Sequence, residues 1–247
     1  MARPDSSQGQ TAVNHDSDAT VPDMDAGFVM PAPATASIAP VTLHAALTRI
    51  AQASPDGAAV LSTRFAPLDH RGLQQMIERT HRQLRLAGFG RDARIGVLLP
   101  EAPQAAVAII AIACSAVAVP LDPRLGPAEL DQFLQQLPLD ALLIGSDGDQ
   151  QGRAAAERHG LMLISAEAAE DGSPALRLAM PVAAQPAPDE LPEPDAPAFI
   201  LRSSGTTALP KLIPFTHRNM LTAARKWQRW FGLNDGDRCL CVSAPYY

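Results

Sequence analysis

The chain has 247 residues, enough for one or two domains, and 47% of them are hydrophobic against 19% charged, which excludes a disordered or fibrous polypeptide. Twenty Lys and Arg against 26 Asp and Glu leave a net charge of −6, which argues against a protein that wraps nucleic-acid phosphates or holds an anionic membrane surface. The three cysteines, Cys114, Cys239 and Cys241, are odd in number and lack zinc spacing, so a reducing, cytoplasmic setting is expected.

Residues 1–40 are rich in Ala, Pro, Ser, Thr and Asp with no sustained period, and read as a disordered leader. Its acidic start lacks the basic-then-apolar layout of a secretory signal. A helical pattern then begins near Thr42, with Leu43, Ala46, Leu47 and Ile50 on one face, and ends at the Ser54-Pro55-Asp56-Gly57 cluster. Residues 58–61 read as a short strand. Residues 73–86 carry Leu73, Met76, Ile77, His81 and Leu84 at three- and four-residue spacing, an amphipathic helix closed by Gly88 and Gly90.

From residue 94 the pattern alternates: strand 94–99, helix 103–115, strand 117–122, helix 127–137, strand 141–145, helix 149–159, strand 161–165. Apolar strands separated by helices predict an α/β fold with a mostly parallel sheet covered on both faces. The most membrane-like run, AAVAIIAIACSAVAV at 105–119, is shorter than the roughly 20 residues of a span and reads as a buried helix running into a strand. Residues 166–197, with QPAPDELPEPDAP, are too dense in proline for an element interior and read as a loop or linker. Strand 198–202 runs into SSGTTALPK, then LIPF, then a helix 216–231 with Thr216 as its N-cap and Trp227, Trp230 and Phe231 on an apolar face. After a turn at 234–236, CLCVSAP reads as one more strand.

The chemistry concentrates in the loop between the last two strands of that series. Ser203, Ser204, Thr206 and Thr207 surround Gly205, and Lys211 follows. Hydroxyls and backbone amides supply donors, glycine admits a close approach, and lysine adds a mobile point charge, which together make a phosphate cradle. Only two lysines occur in the chain, Lys211 and Lys226, so one placed here departs from its arginine habit. A Walker A loop is disfavoured because Leu212 follows Lys211, where that motif needs Ser or Thr, and because Pro210 and Pro214 oppose a helix. A Rossmann fingerprint fails because Gly88-Phe-Gly90 precedes its strand. For the bare five-residue string, a polar surface turn is the competing reading.

The longer string FILRSSGTTALPKLIPFTHRNML resembles the phosphate-loop signature of the adenylate-forming superfamily, which comprises acyl-CoA synthetases, adenylation domains of nonribosomal peptide synthetases and luciferase-like ligases. Ser203, Ser204, Gly205, Thr206, Thr207, Pro210, Lys211, Thr216, His217 and Asn219 stand in register with it. Ala208 stands where the family usually has Gly or Ser and Leu212 where Gly is frequent, and neither removes a phosphate donor. The resemblance extends over residues 41–247 and implies a partial N-terminal domain of an AMP-forming ligase. It implies ATP and Mg2+, a small carboxylic acid as substrate, coenzyme A or a phosphopantetheine thiol as acceptor, and a carrier protein or the missing C-terminal half as partner. Ser203, Ser204, Thr206 and Thr207 would hold the β- and γ-phosphates, with Lys211 on the departing pyrophosphate. The family's magnesium-associated acid, its ribose-binding aspartate and its C-terminal lysine have no counterpart in this sequence. The expectation is therefore a ligase fragment or truncated relative, inactive alone, or else a non-catalytic adenylate-fold module that binds a partner.

Other residues carry less. His217, one residue past a helix cap, reads as structural or as a surface histidine, Cys239 and Cys241 as small core residues, and Arg225, Lys226 and Arg229 as a solvated face. Tyr246 and Tyr247 stand, by the resemblance, near an acyl pocket, and otherwise form a frayed terminus.

Overall fold

The computed structural model describes residues 41–146, 149–203 and 211–246, so the expected leader lies outside the described residues. Helix α1 (Leu43–Ala53) starts at Thr42, whose hydroxyl accepts from the Ala45 amide at 3.2 Å. Strands β1 (Ala58–Val60) and β2 (Leu68–Asp69) form a small antiparallel pair. Helix α2 (His70–Leu86) begins one turn earlier than its apolar spacing indicates, because the Asp69 carboxylate caps the Gly72 amide at 2.6 Å. It ends at Gly88, whose φ of +86° suits glycine and lets the Phe89 amide turn back to the Leu84 carbonyl at 2.9 Å.

The alternation that follows is β3 (Arg94–Leu98), α3 (Ala102–Ala113), β4 (Val117–Pro120), α4 (Pro127–Gln136), β5 (Ala141–Gly145), α5 (Gln150–His159) and β6 (Met162–Ala168). Then come β7 (Leu176–Ala179), β8 (Pro197–Arg202), β9 (Leu212–Thr216) and α6 (His217–Phe231). A seven-stranded sheet orders them β7-β6-β5-β3-β4-β8-β9, parallel throughout its interior and antiparallel at both edges. The expected α/β sheet is thus present, with strands β3, β4 and β5 buried on both sides.

The pleat explains the two cores. In β5, Ala141 and Leu143 face α2 and α3, joining Met76, Ile77, Leu84, Val107 and Ile112. Leu142 and Ile144 face the other way, joining Leu130, Phe133 and Leu134 of α4 and Ala155 and Ala156 of α5. Each fully buried Leu or Ile contributes roughly 1.5–3 kcal/mol. The alanine-rich run is α3 leading into β4, buried nearly all round, and no helix among the described residues is long and apolar enough to cross a membrane.

Two expectations are corrected here. Residues 166–197 are not wholly loop: β6 continues through Ala168, and β7 pairs with it antiparallel, burying Leu176 and Leu178 while Arg177 points out. The proline-rich stretch that follows is an ordered strap, its Ala183 and Ala187 amides bonded to the Leu86 and Arg85 carbonyls at 2.9 and 2.8 Å. CLCVSAP forms no strand, and Cys239 and Cys241 are exposed, not core residues. Alternation there states a side-chain pattern, but no neighbouring strand pairs with it.

Candidate functional site

Ser203 and Lys211, the two ends of the SSGTTALPK string, sit on the β8–β9 hairpin, at the carboxyl end of β8. Its register runs Pro197↔Thr216, Phe199↔Phe215, Ile200↔Pro214, Leu201↔Ile213 and Arg202↔Leu212. Pro214 is tolerated because β9 is the sheet edge, where a missing amide breaks no inner ladder. Two hydrogen bonds close the neck of the loop. The Ser203 amide donates to the Lys211 carbonyl at 2.8 Å, and the Lys211 amide donates to the Ser203 hydroxyl oxygen at 3.0 Å. Of the sequence-derived site residues, then, the structure brings Ser203 and Lys211 face to face. Ser204, Gly205, Thr206 and Thr207 lie outside the described residues. The Lys211 side chain is exposed.

The hairpin is anchored from the far end. Thr216 and Asn219 exchange hydrogen bonds at 3.1 Å in a capping box that starts α6 where β9 stops. Arg218 clasps Asp195 through two bonds of 2.6 and 2.7 Å, which hold the Asp195 carboxyl below the usual range. His217 is fully buried, and its Nδ1 accepts from the Leu43 amide at 3.2 Å, tying α1 to α6. Burial pushes its pKa down to about 4, so the imidazole is neutral at pH 7 and its role here is structural.

Strand order reverses about β3, whose partners β4 and β5 lie on its two sides, and α/β sheets bind ligands at the carboxyl ends of strands near such a switch. Beyond β4 the Asp122 carboxylate grips Arg124 through Nε and Nη2 at 3.0 and 2.9 Å, and the Tyr246 ring lies 5.8 Å from that guanidinium. Sequence reasoning assigned no role to this pair. The available signal was an Asp-x-Arg placed directly after a buried strand. Tyr246 is therefore in contact with the sheet-edge loops, whereas Tyr247 lies outside the described residues. Trp227, Trp230 and Phe231, read as an apolar face of the helix, are each more than half exposed, with Trp227 and Phe231 stacked at 5.3 Å.

Among the described residues no cluster of three or more His, Cys, Asp or Glu could hold a metal ion. The Mg2+ implied by the resemblance therefore has no protein cage among them.

The family model described as AMP-binding enzyme matches residues 47–247. Sulfoacetate–CoA ligase of Cupriavidus necator is 32% identical over 169 residues, covering 67% of this chain and 33% of that protein. The 3-hydroxybenzoate–CoA ligase of an Aromatoleum strain is 30% identical over 184 residues, covering 71% of this chain and 34% of that protein. This chain thus spans about a third of the length of these curated relatives. Among solved structures, the nonribosomal peptide synthetase FmoA3 in its AMPPNP-bound form superposes with a TM-score of 0.62 at 20% identity, over 85% of this chain and 21% of that one, which shows the fold.

Proposed function

We propose, from the premise that this chain belongs to the AMP-binding enzyme family, that it forms the phosphate-binding part of an ATP-dependent ligase which activates a carboxylic acid as acyl-adenylate and passes the acyl group to a thiol. The observation that carries this reading is the Ser203–Lys211 neck, closed by two hydrogen bonds at the carboxyl end of β8. In that reaction the acid's oxygen bonds to the α-phosphorus of ATP as the bond to pyrophosphate breaks. The protein's part is to position and to neutralise charge. Ser204, Thr206 and Thr207 hold the β- and γ-phosphates through hydroxyls and amides, and Gly205 lets the backbone close in. Ser203 serves first as the neck that fixes the loop, its hydroxyl hydrogen still able to donate to phosphate. Lys211 offsets the charge gathering on pyrophosphate.

Residues 41–247 are proposed as part of the N-terminal domain of such a ligase, preceded by a leader over 1–40. The acceptor is coenzyme A or a carrier-protein phosphopantetheine, and a cytoplasmic setting suits the three free cysteines. The apolar surface of α6 and of the segment after it, with Trp227, Phe231, Leu240 and Val242 exposed, is proposed as the seat of the rest of the ligase body. The same surface supports a second reading, a non-catalytic module that binds a partner there.

The test is carboxylate-dependent exchange of labelled pyrophosphate into ATP, run beside nucleotide binding on the 247-residue chain. Binding without exchange is expected from this chain alone, and exchange that appears when a C-terminal ligase half is added supports the ligase reading. Exchange by the chain alone would overturn the half-site description. Binding with no exchange even after that addition favours the module.

A further inference from the structure

We infer that α2 closes the outer edge of β7 against pairing with a second copy of this chain, and that the Gln83 side-chain amide is the group that holds it shut. β7 is an edge strand whose strand neighbour is β6. Antiparallel strands alternate between pairs that exchange both backbone bonds and pairs whose backbone groups point away from each other. The Ala169 amide donates to the Ala175 carbonyl at 3.2 Å, so two positions on Glu167–Arg177 is a bonded pair, while Ala168–Leu176 and Ala166–Leu178 are not. The backbone groups of Leu176 and Leu178 therefore point outward, where they form a template for another strand.

Helix α2 takes one group from each leucine. The Gln83 Nε2 donates to the Leu178 carbonyl at 2.6 Å, and the Leu176 amide donates to the Met76 sulfur at 3.5 Å. A groove of about 620 Å3 separates α2 from the β6–β7 hairpin, lined in part by Arg79, Gln83, Arg177 and Ala179, so a strand has room to reach Leu178 once the Gln83 amide is gone. Arg177 is a weaker obstacle at the same edge, 61% exposed beside Glu167 and Glu170. In a two-fold pairing centred on it, Leu176 of each copy exchanges bonds with Leu178 of the other, and the two Arg177 side chains lie opposite as like charges. The other edge of the sheet is closed by different means. The Ser203 amide donates to the Lys211 carbonyl, which makes Ile200–Pro214 a pair whose groups point away, so the N–H that Pro214 lacks is one that would have faced outward. Each edge thus offers an incomplete row of donors and acceptors, which keeps a sheet from growing into its neighbour.

The experiment reads the pairing with a disulfide across the two-fold axis. In the full chain carrying Cys239→Ser and Cys241→Ser, which leaves only the buried Cys114, Arg177→Cys removes the charge and sets a thiol opposite its own copy at the close spacing of a non-bonded pair. Oxidised glutathione takes up the two electrons. Adding Gln83→Ala is expected to raise the linked dimer about tenfold over the protein that keeps Gln83, on the scale of one lost hydrogen bond. Gln83→Lys, which still donates, should restore the low level. Circular dichroism checks the fold of each variant, and Gln83→Glu, close in shape but without the amide donor, takes the place of Gln83→Ala if the latter does not fold. Equal amounts of dimer with and without the Gln83 donor overturn the proposal. Linking that is as strong through Glu170→Cys, on the hairpin loop beyond the strand, marks association without strand pairing and overturns it as well.

Discussion

Replacing Arg85 by alanine is expected to destabilise the fold by about 3 kcal/mol or more, because two buried carbonyls and a third, partly buried one lose their donor at once. Arg85 is 5% exposed, and its guanidinium donates to the carbonyls of Phe89, Ser115 and Glu190. Those acceptors belong to the turn after α2, the end of α3 and the proline-rich strap. One side chain therefore fastens three segments that share no regular hydrogen-bond ladder. Burial lowers its pKa, offset by Asp189 and Glu190, yet a guanidinium remains charged. Arg85→Met separates packing from bonding, since it keeps the apolar stem and removes only the donors. Urea unfolding followed by far-ultraviolet circular dichroism should show most of the loss in both variants, and proteolysis should find new cleavage within 181–196. An unchanged midpoint in Arg85→Met would show that the carbonyls find other partners.

The second large effect is on acid stability and centres on His217. Nδ1 accepts from the Leu43 amide, so the proton sits on Nε2, which is buried with no partner among the described residues. Protonating Nδ1 would set an N–H against the Leu43 N–H inside a dry site, which agrees with a pKa pushed down to about 4. The folded pKa lies below the ordinary 6.5, so the unfolded chain binds more protons between the two values. His217's contribution is thus fully present above pH 6.5 and is lost as pH falls from there toward 4, roughly 2–3 kcal/mol in all. His44 adds in the same direction, lowered by burial and by His81 against the pull of Glu78. The ion-paired Asp195 acts only lower on the scale. His217→Gln keeps an acceptor but takes no proton. Its stability should therefore fall much less than wild type across that window, and equal slopes would contradict the account.

Legibility in the sequence followed locality. The β3-to-β6 alternation could be read because each element has its own period and its own Gly, Pro or Asp boundary. Strand β7 was hidden because four residues, LRLA, sit amid an Ala- and Pro-rich stretch and only pairing with β6 makes them a strand. The error at CLCVSAP is the converse, a strand pattern without a partner. Arg85 could not be read, since Glu190 is 105 positions away and nothing local marks the contact. At the site, Ser203 and Lys211 stand out through the motif, while the hydrogen bonds that join them depend on the pairing of β8 with β9.

We propose that the loop between Ser203 and Lys211 binds the phosphates of ATP, and calorimetric titration of ATP into the purified chain, with Lys211→Ala alongside, tests it most directly. Saturable binding that the substitution weakens about tenfold or more is the predicted result, on the scale of a lost charge-assisted contact. Equal affinity in the two proteins, or no binding by a folded wild-type chain, would contradict it.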